Sequence, residues 1–107
     1  MRTYFHVSRK EFEDSIQENG LKSTDADECA SGKGIHVTRT IEDASKWADV
    51  LRAERNERDT TYVIFALKAD TSFEKTDEFP NNAPADGFVL CTNRIPPDRI
   101  KPVEWIY

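Results

Sequence analysis

Tyr4-Phe5-His6-Val7-Ser8 and Gly34-Ile35-His36-Val37-Thr38 share one plan: a short β-like run with a histidine inside it, leading into a helix start. The chain has two histidines, and these are their places. Side chains alternate across a strand, so Phe5 and Val7 share one face of the first run while Tyr4, His6 and Ser8 share the other. Ile35 and Val37 likewise point opposite to His36. Each imidazole falls on the more polar face of its strand, where a cleft can form. A strand histidine is more often a half-solvated surface residue, so a role in chemistry must come from its surroundings.

Outward from the first run, Ser8-Arg9-Lys10-Glu11 has the pattern of a capping box, in which a hydroxyl and a carboxylate satisfy the free N–H groups of a helix start. Phe12 and Ile16 lie one turn apart, and Asn19-Gly20-Leu21 supplies a stop, with Gly20 free to turn left-handed and Leu21 able to tuck back. A helix from about Arg9 to Asn19 follows. The polar stretch from Lys22 to Lys33 reads as a loop. Its Asp25 and Asp27 fail the calcium-loop pattern, which needs a central glycine and a terminal acid where His36 stands. Ser31-Gly32-Lys33-Gly34 lacks the spacing of a phosphate-binding P-loop.

Outward from the second run, Thr40 is a good N-cap, and Ile41, Ala44, Ala48 and Leu51 form an apolar stripe from Ile41 to about Arg55. Tyr62-Val63-Ile64-Phe65-Ala66-Leu67 is apolar on both faces, as in a strand covered from both sides, and is the candidate centre of the sheet. Asp70 to Asp86, with Pro80-Asn81-Asn82 and Pro84, reads as a long surface excursion. Phe88-Val89-Leu90-Cys91 is a further strand, Pro96-Pro97 a turn, and Val103 to Tyr107 a final strand.

A chain of 107 residues fits a single domain, 1–107. With 37% hydrophobic and 33% charged residues it is a soluble globular composition, and no apolar run reaches membrane-spanning length. The N-terminus runs straight into a strand pattern without a signal-peptide layout, so a cytoplasmic location is expected. The net charge of −5 argues against a sequence-neutral nucleic-acid binder. Arg52, Arg55 and Arg58 are interleaved with Glu54, Glu57 and Asp59, the signature of a solvated helix face. Cys29 and Cys91 belong to no C-x-x-C pair, and no metal site is expected.

The order strand, helix, loop, strand, helix and then several strands, with histidines on the first two strands, resembles the ADP-ribosyltransferase superfamily, in particular its diphtheria-toxin and poly-ADP-ribose-polymerase-like branch. Tyr4-Phe5-His6-Val7-Ser8 matches the first-strand block. Gly34-Ile35-His36-Val37-Thr38 with Thr40 to Ala48 is similar to the second, and Asn93-Arg94-Ile95-Pro96-Pro97-Asp98-Arg99-Ile100 resembles a tail of small bacterial and phage members. The resemblance covers nearly the whole chain through short motifs. It implies an α+β fold with a split, mostly antiparallel sheet, two main helices and a cleft between the first two strands.

The same resemblance implies NAD, as substrate, or a related ADP-ribose nucleotide, and a macromolecular protein target for mono-ADP-ribosyl transfer. His6 takes the place of the histidine that holds the ribose and carboxamide end; its two nitrogens can donate and accept. Val7 offers its main-chain N–H and C=O to the carboxamide. His36 replaces the family's first tyrosine against the nicotinamide ring, Thr38 closes the block as a cofactor-binding residue, and Trp47 supplies the other wall or, equally, flanks the helix stripe. The catalytic set is His6, His36 and an acid that stabilises positive charge as nicotinamide leaves.

That acid is where the sequence departs from the family. The corresponding strand begins Asp86-Gly87-Phe88-Val89, and Asp86 is one methylene shorter than the family's glutamate; Glu78 and Glu104 are fallbacks that read more simply as surface charges. The same residues admit two other chemistries. An RNA 2'-phosphotransferase would use Arg39 on a phosphate, but the rest of its basic set is missing. A Cys-His pair with Cys91 or Cys29 has no supporting spacing. The alternative from another class is a non-enzymatic interaction or inhibitor protein, of phage or plasmid type, on a degenerate version of the same fold.

Overall fold

The computed structural model describes residues 1–54, 60–77 and 87–106. In chain order these form β1 (Arg2–Arg9), a 3-10 turn, α1 (Glu13–Asn19), β2 (Leu21–Lys22), β3 (Thr24–Asp25), β4 (Lys33–Val37) and α2 (Ile41–Glu54). β5 (Tyr62–Ala69), β6 (Glu74–Asp77), β7 (Gly87–Leu90), β8 (Arg94–Ile95) and β9 (Ile100–Ile106) follow. The class is α+β, with two α-helices among the described residues and every strand pair antiparallel.

The strands form a β1-β5-β9 sheet, a β3-β4-β7-β6 sheet and a β2-β8 pair. β5 sits between its neighbours because it is apolar on both faces. Alternation sends Val63, Phe65 and Leu67 into the main core beside Tyr4, Ile35, Val37 and Leu90. Tyr62 and Ile64 take the opposite face. There α2 packs with Ala44 and Ala48 fully buried, and its Arg52 guanidinium lies over the Tyr62 ring. The Thr40 hydroxyl accepts from the main-chain N–H of Asp43, so the expected cap of α2 is formed.

Gly20 ends α1 at φ +84°, and its N–H donates to the carbonyl of Ile16 at 2.8 Å. The helix start differs from the capping-box expectation. Ser8 stays in β1 opposite Val63, the Lys10 N–H donates to the Thr61 carbonyl, and the chain enters α1 through a 3-10 turn over Lys10–Phe12 without a side-chain cap. A main-chain bond to the residue before β5 thus keeps the chain extended where the capping box would have begun the helix.

The two stretches expected to be loops also contain strands. Thr24 and Asp25 pair with Gly34 and Lys33, and Glu74 to Asp77 pair with Leu90 to Gly87 at the sheet edge. Their polar sequences hid them, since an edge strand can satisfy one side with solvent. Cys91 lies just beyond β7, the last strand begins at Ile100 rather than Val103, and Tyr107 and residues 78–86 lie outside the described residues.

Candidate functional site

The two sheets meet where Phe5 and Thr38 exchange both main-chain hydrogen bonds, each 2.8 Å, in an isolated bridge. Along a strand, the N–H and C=O of alternate residues face the same edge. Those of Val7 therefore face β4, as those of Phe5 do. Continuing the antiparallel register would set Val7 opposite His36, but the bridge stops at Phe5–Thr38. Instead the His6 ring reaches across, and its Nδ1 lies 2.7 Å from the His36 carbonyl oxygen.

A cavity of about 450 Å³ opens at this divergence. His6 and Ser8 line it from β1, His36 from β4, Ile16 from α1, and Lys22 and Thr24 from β2 and β3. Gly20 brings the chain from α1 back along the floor. A side chain at this position would be driven into the Ile95 carbonyl oxygen, so the turn needs glycine for space as well as for its positive φ.

A carbonyl oxygen only accepts, so the proton of the neutral His6 ring is on Nδ1 and Nε2 keeps its lone pair. Burial of the ring lowers the His6 pKa below its ordinary 6.5; the bond to the His36 carbonyl pulls the other way, and the neighbouring imidazole adds to the lowering. His6 is thus a neutral imidazole near pH 7, with one nitrogen committed and one able to accept from a hydroxyl.

The structure brings His6 and His36 to one cavity and sets other expected residues elsewhere. Thr38 is buried, and its hydroxyl donates to the Thr40 carbonyl at 2.9 Å. Trp47 is half-buried on α2, which packs on the face of β1 and β5 opposite to His6, and it does not line the cavity. Alternation along β1 is the reason: Phe5 and Val7 face α2, while His6 faces α1. Asp86 and Glu78 lie outside the described residues, and Glu104 is a position on β9. No aspartate or glutamate lines the cavity among the described residues.

Arg39 is committed away from the cavity. It pairs with Glu74 and lies 4.2 Å over the Phe88 ring. Glu74 also accepts from the buried Tyr4 hydroxyl at 2.5 Å, with Arg2 at 3.9 Å. Burial alone would raise the Glu74 carboxyl, but the hydrogen bonds from Tyr4 and Arg39 outweigh it and hold the group below its usual range. The Tyr4 hydroxyl is pushed up to about 12, by burial first and then by its bond to Glu74. This network was missed in the sequence because its members come from separate elements.

Cys29 and Cys91 form a disulfide, with Cα atoms 5.4 Å apart, that ties the turn before β4 to the end of β7. Neither sulfur is then a thiolate, so the Cys-His alternative has no nucleophile in this state.

No family model, curated protein or solved structure matches the chain. No helix among the described residues is long and apolar enough to cross a membrane.

Proposed function

We propose that the chain binds NAD, or a related ADP-ribose-type nucleotide, in the His6/His36 cavity of an ADP-ribosyltransferase-like split sheet. The observation that carries this reading is the His6 ring bonded to the His36 carbonyl at the point where β1 and β4 part. The arrangement leaves one imidazole nitrogen to accept from a ribose hydroxyl, and the main chain of Val7, which faces β4 but is not among the residues lining the cavity, would pair with the carboxamide. In this reading the His36 side chain, from a residue that lines the cavity, would stack on the nicotinamide ring.

Mono-ADP-ribosyl transfer to a protein is the catalytic form of this reading. Breaking the bond between nicotinamide and ribose builds positive charge on the sugar, and a carboxylate aimed at that charge lowers the barrier. Asp86 is the sequence candidate, immediately before Gly87 at the start of β7. Misplacing such a group by about 1 Å costs on the order of a hundredfold in rate. The binding part of the proposal stands independently of that acid.

Isothermal titration with NAD tests the binding. A saturable heat at millimolar or lower concentration, lost in His6→Ala, is expected; no saturable heat in the wild-type protein refutes it. Incubation with NAD labelled in its ADP-ribose half then separates the two forms. Transfer or glycohydrolysis marks an enzyme, and binding without turnover marks a non-catalytic nucleotide binder.

A further inference from the structure

Two cations stand together beside the cavity, Lys22 among its lining residues and Arg94 next to it. Lys22 lines the cavity, and in the β2-β8 pair it stands directly opposite Arg94. Their neighbours Leu21 and Ile95 are opposite one another and buried, so Lys22 and Arg94 share the outward face. Like charges placed directly across an antiparallel pair repel and destabilise it. Neither forms an ion pair among the described residues. In a chain where 20 acidic residues outnumber 15 basic ones, that juxtaposition stands out.

Arg94 is also held in place. Its Nε and Nη2 donate to the Asn19 carbonyl at 3.1 and 2.6 Å, and Asn19 itself lines the cavity. The two bonds fix the guanidinium against the end of α1, beside the β2 rim. Its charge is spread over a planar group whose remaining N–H donors suit phosphate oxygens, and Lys22 adds a mobile ammonium next to it.

We propose that Lys22 and Arg94 form an anion-recognising rim of the His6/His36 cavity, and that its ligand carries a diphosphate. This deepens the NAD reading and rests on it for the identity of the ligand's other end. The two imidazoles take the nicotinamide-ribose end, which carries the pyridinium and no phosphate, and the cation pair takes the diphosphate. The cavity therefore discriminates a dinucleotide from the nucleoside that lacks phosphate. Binding relieves the repulsion between Lys22 and Arg94, so part of the selectivity comes from the cost they carry in the empty site.

The test is calorimetric titration of the wild-type protein, Lys22→Gln, Arg94→Gln and Arg94→Lys with NAD, nicotinamide riboside and inorganic pyrophosphate, with thermal melting of each variant as a check on folding. The wild-type protein should bind NAD at least about tenfold more tightly than nicotinamide riboside, and pyrophosphate should compete with NAD. Lys22→Gln should weaken NAD by about tenfold and leave nicotinamide riboside unchanged, with Arg94→Lys closer to wild type than Arg94→Gln. Equal affinity for NAD and nicotinamide riboside, or an unchanged NAD affinity in a folded Lys22→Gln protein, overturns the proposal. Lys22-dependent binding of pyrophosphate without binding of NAD or the riboside upholds the rim and refutes the NAD reading. Binding of none of the three refutes both.

Discussion

The His6 imidazole donates its Nδ1–H to the main-chain carbonyl of His36 at 2.7 Å, just past the last main-chain bridge between β1 and β4. A side chain thus occupies a carbonyl that a continuous ladder would use, and the strands part around it. One contact links the histidine of the first run to the backbone of the second and fixes the tautomer of His6, and both histidines line the cavity.

The His6 bond gives a pH signature. Because the folded pKa lies below the ordinary 6.5, the unfolded chain takes up a proton more readily. The stability from neutral His6 is present in full above that unfolded value and is lost as pH falls from there through the lower folded value. The stability of wild-type protein relative to His6→Gln should decline, in thermal unfolding, across a range of pH that runs from above the ordinary 6.5 to below it. A difference that stays constant across that range would show that His6 titrates in the native state as it does in the unfolded chain.

Glu74 anchors the other polar network. Replacing it with alanine strips the buried Tyr4 hydroxyl of its acceptor and leaves Arg39 without its carboxylate, which should cost about 2–4 kcal/mol in urea denaturation. Tyr4→Phe, which removes a donor without stranding a buried one, should cost less. The Glu74 contribution is present above its unfolded pKa, near the ordinary 4.5, and is lost as pH falls through the lower folded value. Tyr4 adds the opposite limb: its contribution holds below the ordinary 10.0 and is lost as pH rises toward about 12.

Gly20→Ala should destabilise by about 2–4 kcal/mol, through a strained positive φ and a collision with the Ile95 carbonyl at the β2-β8 pair. Gly32, also at positive φ, has nothing within 4 Å of a would-be Cβ and should cost less when changed to alanine. Equal losses at the two positions would point to backbone strain alone.

The Cys29–Cys91 disulfide spans a sequence separation of 62. Closing a loop of that length restricts the unfolded chain by about 4 kcal/mol in the chain-entropy model. The Cys29→Ser/Cys91→Ser double variant should lose about 2–4 kcal/mol against oxidised wild type and little against reduced wild type.

These outcomes separate what local sequence carries from what it does not. The Thr40 cap, the Gly20 stop and the apolar run at Tyr62–Leu67 are local signals, and each produced the element expected of it. The Ser8-x-x-Glu11 pattern failed because the same residues were also the end of a strand, and a tertiary main-chain bond outcompeted a local side-chain one. β6 was illegible because Glu74-Lys75-Thr76-Asp77 has the polarity of a loop and takes its structure from β7. The two histidines could be placed on strands from their runs alone, while the cleft between those strands was expected only from the family resemblance. The bond between them, the disulfide and the Lys22–Arg94 juxtaposition depend on register between distant strands, which no local pattern encodes.

The most direct measurement is a titration of uniformly nitrogen-15-labelled protein with NAD, following the imidazole nitrogens of both histidines by NMR. His6 should show a protonated Nδ1 and an unprotonated Nε2 before ligand is added. With NAD, the His6 Nε2 and His36 ring resonances should shift together and saturate at one common dissociation constant. Imidazole resonances that stay unmoved while NAD is bound elsewhere, or a His6 ring carrying its proton on Nε2, would show that the meeting point of β1 and β4 is not the nucleotide site.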